Sequence, residues 1–175
     1  MGRLAGTKGK AEEIQAFSVL SSFCRACTFL YKGALMGLLL HEQEKEIRIL
    51  VVDDHPSVRR YLRRALEQQE HWRVCDEARD GQDAVDRFWK IRPDVIVLDF
   101  QMPAMNGLDA ARILTQLSPE TPILIVTLYL SKQLSDEAKK VGARGACVKT
   151  DTVSMVNAVG ALLRHETYFP QVSPN

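Results

Sequence analysis

The sequence is short of the features that mark specialised classes of protein. It has only four cysteines in 175 residues, and its formal net charge is +1. These cysteines lack the regular spacing of a disulfide framework, which favours a reducing, cytoplasmic setting over a disulfide scaffold. A balanced charge supplies no electrostatic footprint for nucleic acid, so we expect no direct nucleic-acid binding. With 46% apolar and 26% charged residues, the composition is typical of one globular domain.

A long uncharged apolar run is also absent from the sequence. The most apolar stretch, residues 17–40, is interrupted by Arg25 and Lys32, whereas a membrane-spanning helix needs about 20 nearly uncharged residues. We therefore expect no association with a membrane. Cys24 and Cys27 form a C-x-x-C pair, but no second ligand pair follows, so coincidence explains the spacing better than a metal or redox site.

Residues 1–46 differ in character from the remainder of the chain. Their apolar stretch leaves three interpretations open: an amphipathic helix that docks on a partner, a disordered tail, or a translation start assigned too early, with Met36 as the later start. We expect a dispensable N-terminal extension over residues 1–46. A folded domain over 47–166 and a C-terminal tail over 167–175 complete the predicted organisation.

From residue 47 onward, short β-branched apolar runs alternate with segments whose apolar residues recur at helical spacing. The predicted strands cover residues 47–54, 72–78, 94–100, 122–128 and 145–150. The predicted helices cover residues 56–69, 81–91, 108–117, 131–142 and 152–166. Continuous apolar strands are typical of a sheet that is covered on both faces, so the pattern predicts an α/β protein with a doubly wound parallel sheet in a three-layer sandwich.

Polar residues collect where these predicted strands end. The strand-end residues are Asp53, Asp54, Asp99, Thr127 and Lys149. In a doubly wound sheet the carboxyl ends of the strands form the edge where ligands bind. Two adjacent acids repel each other unless a cation or a basic group lies between them. A solvated turn or a helix cap explains each residue singly, but not the whole set, so the pattern indicates a functional site.

The segment 47–166 resembles the receiver domain of bacterial response regulators, the CheY-like family. The resemblance is carried by "VVDDHP", "VIVLDFQMPAMNGLDAAR", "ILIVT" and "GARGACVKTD". The residue patterns of the second and fourth motifs are similar to those of receivers that precede a helix-turn-helix DNA-binding domain. The resemblance implies a flavodoxin-like fold with five parallel strands in the order 2-1-3-4-5.

The resemblance also implies a Mg²⁺ site and an aspartyl phosphate. The implied metal ligands are Asp53, Asp54, Asp99 and the backbone carbonyl of Gln101. Such hard oxygen donors suit Mg²⁺. Asp99 would be the phosphoacceptor, attacking phosphorus as a nucleophile. Lys149 would contact the phosphoryl oxygens, and Thr127 would donate its hydroxyl to one of them.

Partners are implied in the same way. A sensor histidine kinase would supply the phosphoryl group, and the output would pass through protein–protein contacts. The contacting face would consist of the fourth helix, the fifth strand and the fifth helix, bound either to a downstream protein or to a second copy of the chain. As a receiver, the chain would turn over no external substrate and would at most phosphorylate and dephosphorylate itself.

Two positions depart from the family pattern. Ala146 stands three residues before Lys149, where an aromatic residue usually responds to the switch. Leu128 follows Thr127 at a position that is normally small. These departures keep open a degenerate receiver that acts as a constitutive interaction module without phosphorylation. A phosphohydrolase of the haloacid-dehalogenase type is disfavoured, because that family needs a second aspartate where this chain has Gln101.

Two features beside the site have simple structural interpretations. Gly107 is expected to allow a backbone conformation that other residues resist. The arginines of the first predicted helix are expected to form a solvated face, with contact to an acidic partner as the alternative. They are Arg59, Arg60, Arg63 and Arg64.

Overall fold

The computed structural model describes residues 45–171. The predictions for the N-terminal extension, including the Cys24–Cys27 pair and Met36, lie outside the described residues. The strands are β1 (Ile47–Val52), β2 (Trp72–Ala78), β3 (Val95–Asp99), β4 (Ile123–Thr127) and β5 (Gly145–Val148). The helices are α1 (Pro56–Leu66), α2 (Gly81–Ile91), α3 (Gly107–Leu117), α4 (Lys132–Lys140) and α5 (Thr152–Leu163). None of these helices is long and apolar enough to cross a bilayer.

The strands form one parallel sheet in the order β2-β1-β3-β4-β5. This confirms the predicted doubly wound, flavodoxin-like fold and its strand order. Val52 pairs with Leu98, and Asp99 pairs with Val126, so β1, β3 and β4 end side by side. The parallel arrangement therefore brings the polar residues at these strand ends to one edge of the sheet.

Helices cover both faces of the sheet, as the predicted three-layer sandwich requires. Alternate residues of β1 point to opposite faces. Ile49 and Val51 belong to the core under α1 and α5, whereas Leu50 and Val52 belong to the core under α2, α3 and α4. All four are fully buried. Burial of one aliphatic side chain stabilises the folded state by about 1.5–3 kcal/mol. Strands that are covered on both faces therefore stabilise the edge of the sheet where the polar residues lie.

The first helix begins differently from the other four. Each of the other four helices begins at an N-cap residue whose side chain accepts a hydrogen bond from the backbone N–H three residues later. These N-cap residues are Asp80, Asn106, Ser131 and Asp151. In α1 the N-cap residue His55 makes no side-chain capping bond, and Pro56 occupies the first turn. The acid pair before α1 therefore does not cap the helix, which removes the simplest structural explanation for two adjacent acids.

Three helices are shorter than predicted. Helix α1 ends at Leu66 instead of residue 69, α4 covers Lys132–Lys140 instead of residues 131–142, and α5 ends at Leu163 instead of residue 166. The reason at α5 is a Schellman-type turn. His165 adopts φ of 63°, and the Glu166 N–H donates to the Ala161 carbonyl at 3.0 Å. A residue in the left-handed region ends the helical hydrogen-bond ladder.

Part of the predicted C-terminal tail lies along the edge of β5. The Ala146 N–H donates to the Tyr168 carbonyl at 2.9 Å, and the Tyr168 N–H donates to the Arg144 carbonyl at 2.9 Å. The ammonium of Lys139, on α4, lies 4.7 Å from the ring centroid of Phe169. This chain thus covers the edge of its last strand with its own backbone, which removes an open pairing edge.

Candidate functional site

The acid pair follows β1 at the carboxyl edge of the sheet. Asp53 is fully buried. Its Oδ1 accepts a hydrogen bond from the His55 N–H at 2.9 Å, and its Oδ2 accepts one from Lys149 Nζ at 2.8 Å. Asp54 is partly exposed, with its Oδ1 2.8 Å from Nδ1 of His55. One acid therefore points into the protein and the other faces the solvent at the mouth of the site.

Lys149 lies between two buried carboxylates. Its Nζ is 2.7 Å from Asp99 Oδ2 and 2.8 Å from Asp53 Oδ2. The three residues are 8% exposed or less. The ammonium offsets the repulsion between the carboxylates, and each contact is a charge-assisted hydrogen bond. Because a buried charge needs a partner of opposite charge, loss of Lys149 would leave the negative charges of Asp53 and Asp99 without compensation.

The pKa shifts in this cluster follow from burial and from the shared lysine. Burial by itself lowers the pKa of Lys149, but the hydrogen bonds to Asp53 and Asp99 outweigh it and hold that pKa above its ordinary value. Burial raises the pKa of Asp99, although Lys149 and the Gln101 N–H oppose the rise. Lys149 is therefore held as an ammonium, the charge state that an anionic ligand at this edge requires.

Thr127 ends β4 beside Lys149 and is 4% exposed. Its Oγ1 lies 3.2 Å from the Tyr129 carbonyl, to which it donates, and accepts from the Tyr129 N–H at 3.3 Å. The Thr127 carbonyl accepts from the Lys149 N–H at 2.8 Å. The hydroxyl is thus bonded into the loop after β4 and must leave that loop before it can bind a ligand in the cleft.

The loop after β3 completes the rim of the site. The Gln101 N–H donates to Asp99 Oδ1 at 3.1 Å, which fixes the carboxylate by its second oxygen. Gln101 also lines a surface groove together with Asp54. Asp54 and the loop after β3 therefore border the same groove.

Gly107 is required for a different reason from the one expected. Its φ lies outside the left-handed region, the positive-φ glycine of the described residues being Gly142. A Cβ at Gly107 would instead overlap the carbonyl oxygen of Asp99. The start of α3 thus packs directly on the backbone of β3, and the absence of a side chain sets how closely the two elements approach.

The donor set fits Mg²⁺. Carboxylate oxygens of Asp53 and Asp54 and a ring nitrogen of His55 lie within 4.8 Å of one another. Asp99 adjoins this group, because it shares the Lys149 ammonium with Asp53. A site that is rich in carboxylate oxygen, free of thiolate and partly open to water is typical for a hard cation.

The expectation of a solvated arginine face on α1 is wrong for two of the four residues. The side chains of Arg59 and Arg63 are 16% and 33% exposed, and both bind Glu77 on β2, at 3.0 Å and 2.8 Å. Arg60 and Arg64 are exposed, as expected. The i,i+4 spacing of Arg59 and Arg63 places them on one face of the helix, but Arg60 and Arg64 have the same spacing, so the sequence alone does not tell which pair binds Glu77.

The two departures from the family pattern differ in burial. Leu128 is 68% exposed and Tyr129 is 66% exposed, so the loop after β4 presents two large apolar side chains to the solvent. Ala146 is fully buried in the core under α4. Phe169 packs against the same core from the C-terminal segment.

Comparisons with known proteins agree with this fold. The family model described as "Response regulator receiver domain" matches residues 49–160. The chain is 31% identical over 134 residues to the transcriptional regulatory protein DegU of Brevibacillus brevis, a match that covers 75% of this chain but only 57% of DegU. It is 32% identical over 119 residues to Protein CcdB of Bacillus subtilis, covering 67% of this chain and 98% of that protein. A two-component response regulator of the LuxR family from Aurantimonas superposes with a TM-score of 0.67 at 33% identity, covering 69% of this chain and 87% of that one.

Proposed function

Because this chain belongs to the response regulator receiver family, we propose that it is a phosphorylation-dependent switch of a two-component system. Asp99 accepts a phosphoryl group from a sensor histidine kinase in the cytoplasm, with Mg²⁺ as the cofactor. The observation that carries the proposal is the contact of one buried ammonium, Lys149, with both Asp53 and Asp99. This cluster carries a net negative charge and lies at the ligand-binding edge of the fold.

In the proposed transfer, an oxygen of the Asp99 carboxylate attacks phosphorus. The bond between phosphorus and the imidazole nitrogen of the kinase breaks as the new P–O bond forms. Asp53, Asp54, Asp99 and the backbone carbonyl of Gln101 would hold Mg²⁺, which would supply positive charge to the phosphoryl oxygens when bound. Lys149 exchanges its contact with Asp99 for a phosphoryl oxygen, because the phosphoryl oxygens carry more charge than the carboxyl group of the acyl phosphate.

Thr127 couples this chemistry to the surface. Its hydroxyl is bonded to the Tyr129 backbone at 3.2–3.3 Å. A phosphoryl oxygen is a stronger acceptor than a peptide carbonyl, so phosphorylation draws the hydroxyl into the cleft and moves the loop that carries Leu128 and Tyr129. Because Ala146 replaces the usual aromatic residue, we propose that output depends on this loop and on the face formed by α4, β5 and α5. A downstream protein or a second copy of the chain binds there, and no external substrate is turned over.

Intact-protein mass spectrometry tests the proposal. The protein is incubated with Mg²⁺ and acetyl phosphate, and separately with a panel of phosphorylated histidine kinases. We expect one added phosphoryl group, absent without Mg²⁺ and absent in Asp99→Asn. Asp109→Asn, which removes an exposed carboxylate of α3, is the matched control and keeps the adduct.

The opposite result has a definite meaning. If neither acetyl phosphate nor any kinase labels the folded wild-type protein, the phosphorylation proposal is wrong. The chain would then be a constitutive interaction module built on the receiver fold.

A further inference from the structure

Arg59 joins α1 to the backbone of the acid pair. Its Nη1 donates to the Asp53 carbonyl at 2.7 Å and lies 3.4 Å from the Asp54 carbonyl. The side chain is 16% exposed. Helix α1 has no side-chain cap of its own. The guanidinium of Arg59, in the first turn of α1, therefore holds the backbone segment that orients both acids.

Glu77 orients that guanidinium and balances its charge. Its Oε2 accepts from Arg59 Nε at 3.0 Å, and its Oε1 accepts from Arg63 Nε at 2.8 Å. Burial by itself raises the pKa of Glu77, but the hydrogen bonds from Arg63 and Arg59 outweigh it, so the pKa lies below its ordinary value. Glu77 thus stays ionised, which reduces the repulsion that Arg59 exerts on a cation bound at the acid pair.

The two arginines that donate to Glu77, Arg59 and Arg63, differ in their other contacts. Arg59 reaches the carbonyls of the acid pair, whereas Arg63 donates from Nη1 to the Val74 carbonyl, away from the site, at 2.8 Å. Both tie α1 to β2, so both contribute to the stability of the fold. Only Arg59 of this pair can also set the direction of the peptide groups that follow the two acids.

The geometry points to Arg59 as a positioning residue for the Mg²⁺ site, oriented by Glu77. This inference rests on the proposed function, since it concerns the cation that phosphorylation requires. Arg59 contacts neither the ion nor the phosphoryl group. It holds the main chain of the acid pair in place, so the carboxylates of Asp53 and Asp54 are organised before the cation arrives.

Substitution of Arg59 should weaken Mg²⁺ binding more than it weakens the fold. Loss of a residue that orients metal ligands typically lowers metal affinity by about 10–100-fold. We expect a loss in this range for Arg59→Met, which keeps the apolar stem and removes the donors. Arg59→Lys should recover part of the affinity, because one ammonium restores the charge but not the forked contact with Glu77 and the acid-pair carbonyls.

Isothermal titration of the full chain with MgCl₂ measures the effect. Arg63→Met is the matched control, since it breaks a comparable bond to Glu77 without touching the acid pair. Urea unfolding of each variant, with and without Mg²⁺, reports stability and cation linkage separately. The expected result is a similar stability loss in the two Met variants but weakened Mg²⁺ binding only in Arg59→Met. Equal Mg²⁺ affinity in the two variants overturns the inference and leaves Arg59 a purely structural residue.

Two further outcomes are distinguishable. If wild-type protein binds no Mg²⁺, the cation requirement of the proposed function fails, whatever Arg59 does. If Arg59→Met does not fold, Arg59→Lys decides: an affinity equal to wild type overturns the inference, and a reduced affinity at unchanged urea midpoint supports it.

Discussion

Gly107 packs directly on the carbonyl of Asp99, so that no side chain fits between the start of α3 and the end of β3. The Gly107 N–H also donates to the Phe100 carbonyl at 2.9 Å. The position of the Asp99 carboxylate therefore depends on a glycine that is eight residues away in sequence and has no functional side chain.

Gly107→Ala should destabilise the protein by about 1–3 kcal/mol, because the added methyl group forces the backbones of β3 and α3 apart. Urea unfolding measures the change. Gly160→Ala is the control: its Cβ would meet only Arg164 Nη1, at 3.5 Å, and alanine is the better helix former, so this substitution should stabilise by up to about 1 kcal/mol. Equal effects of the two would contradict the packing argument.

Lys149→Met should destabilise the fold by about 3–5 kcal/mol, because Asp53 and Asp99 are left as buried carboxylates without a counter-charge. Mg²⁺ should restore part of this loss, since a cation at the same carboxylates replaces the missing charge. The measurement is the free energy of unfolding in urea, with and without Mg²⁺. Lys139→Met, which removes an exposed ammonium from α4, should show a much smaller loss and no such recovery.

Glu77 should make the fold sensitive to acid. Its folded-state pKa lies below its ordinary value of 4.5, so its stabilising contribution is present above that ordinary value and is lost as pH falls through the folded-state pKa. Glu77→Gln should therefore lose stability at neutral pH and show a shallower decline of stability in acid than wild type. Urea unfolding at pH 7 and at several acidic pH values checks the sign. Parallel pH profiles for the two proteins would show that Glu77 does not contribute.

His165→Gly should stabilise the protein by about 1 kcal/mol, because glycine adopts the left-handed conformation without the steric strain of a Cβ. His165 has φ of 63° in the turn that ends α5. Thermal unfolding at fixed pH measures the gain. His165→Ala keeps the Cβ and should give no comparable gain. A rise in melting temperature for both substitutions would point to the loss of the imidazole instead.

Much of the site follows from local pattern. The apolar runs that end at Asp53, Asp99, Thr127 and Lys149 predict parallel strands, and parallel strands with both faces covered end at one edge. The helix ends were harder to predict, because the segment before His165 continues with residues that tolerate a helix. A turn with a left-handed residue ended it. Histidine is several-fold enriched at positive φ among non-glycine residues, but it adopts that conformation too rarely for the sequence to predict it at residue 165.

The sequence by itself determined the sheet, its two apolar faces and the edge where the acids, the threonine and the lysine meet, because these follow from periodicity and from the geometry of parallel strands. Only the tertiary structure decided which charges pair. Asp53 and Lys149 are 96 residues apart, and Arg59 and Glu77 are 18 apart on different elements. Such contacts depend on strand register and helix packing, which arise from the whole core. For the same reason only the fold separates the partly buried Arg59 from the exposed Arg60 beside it.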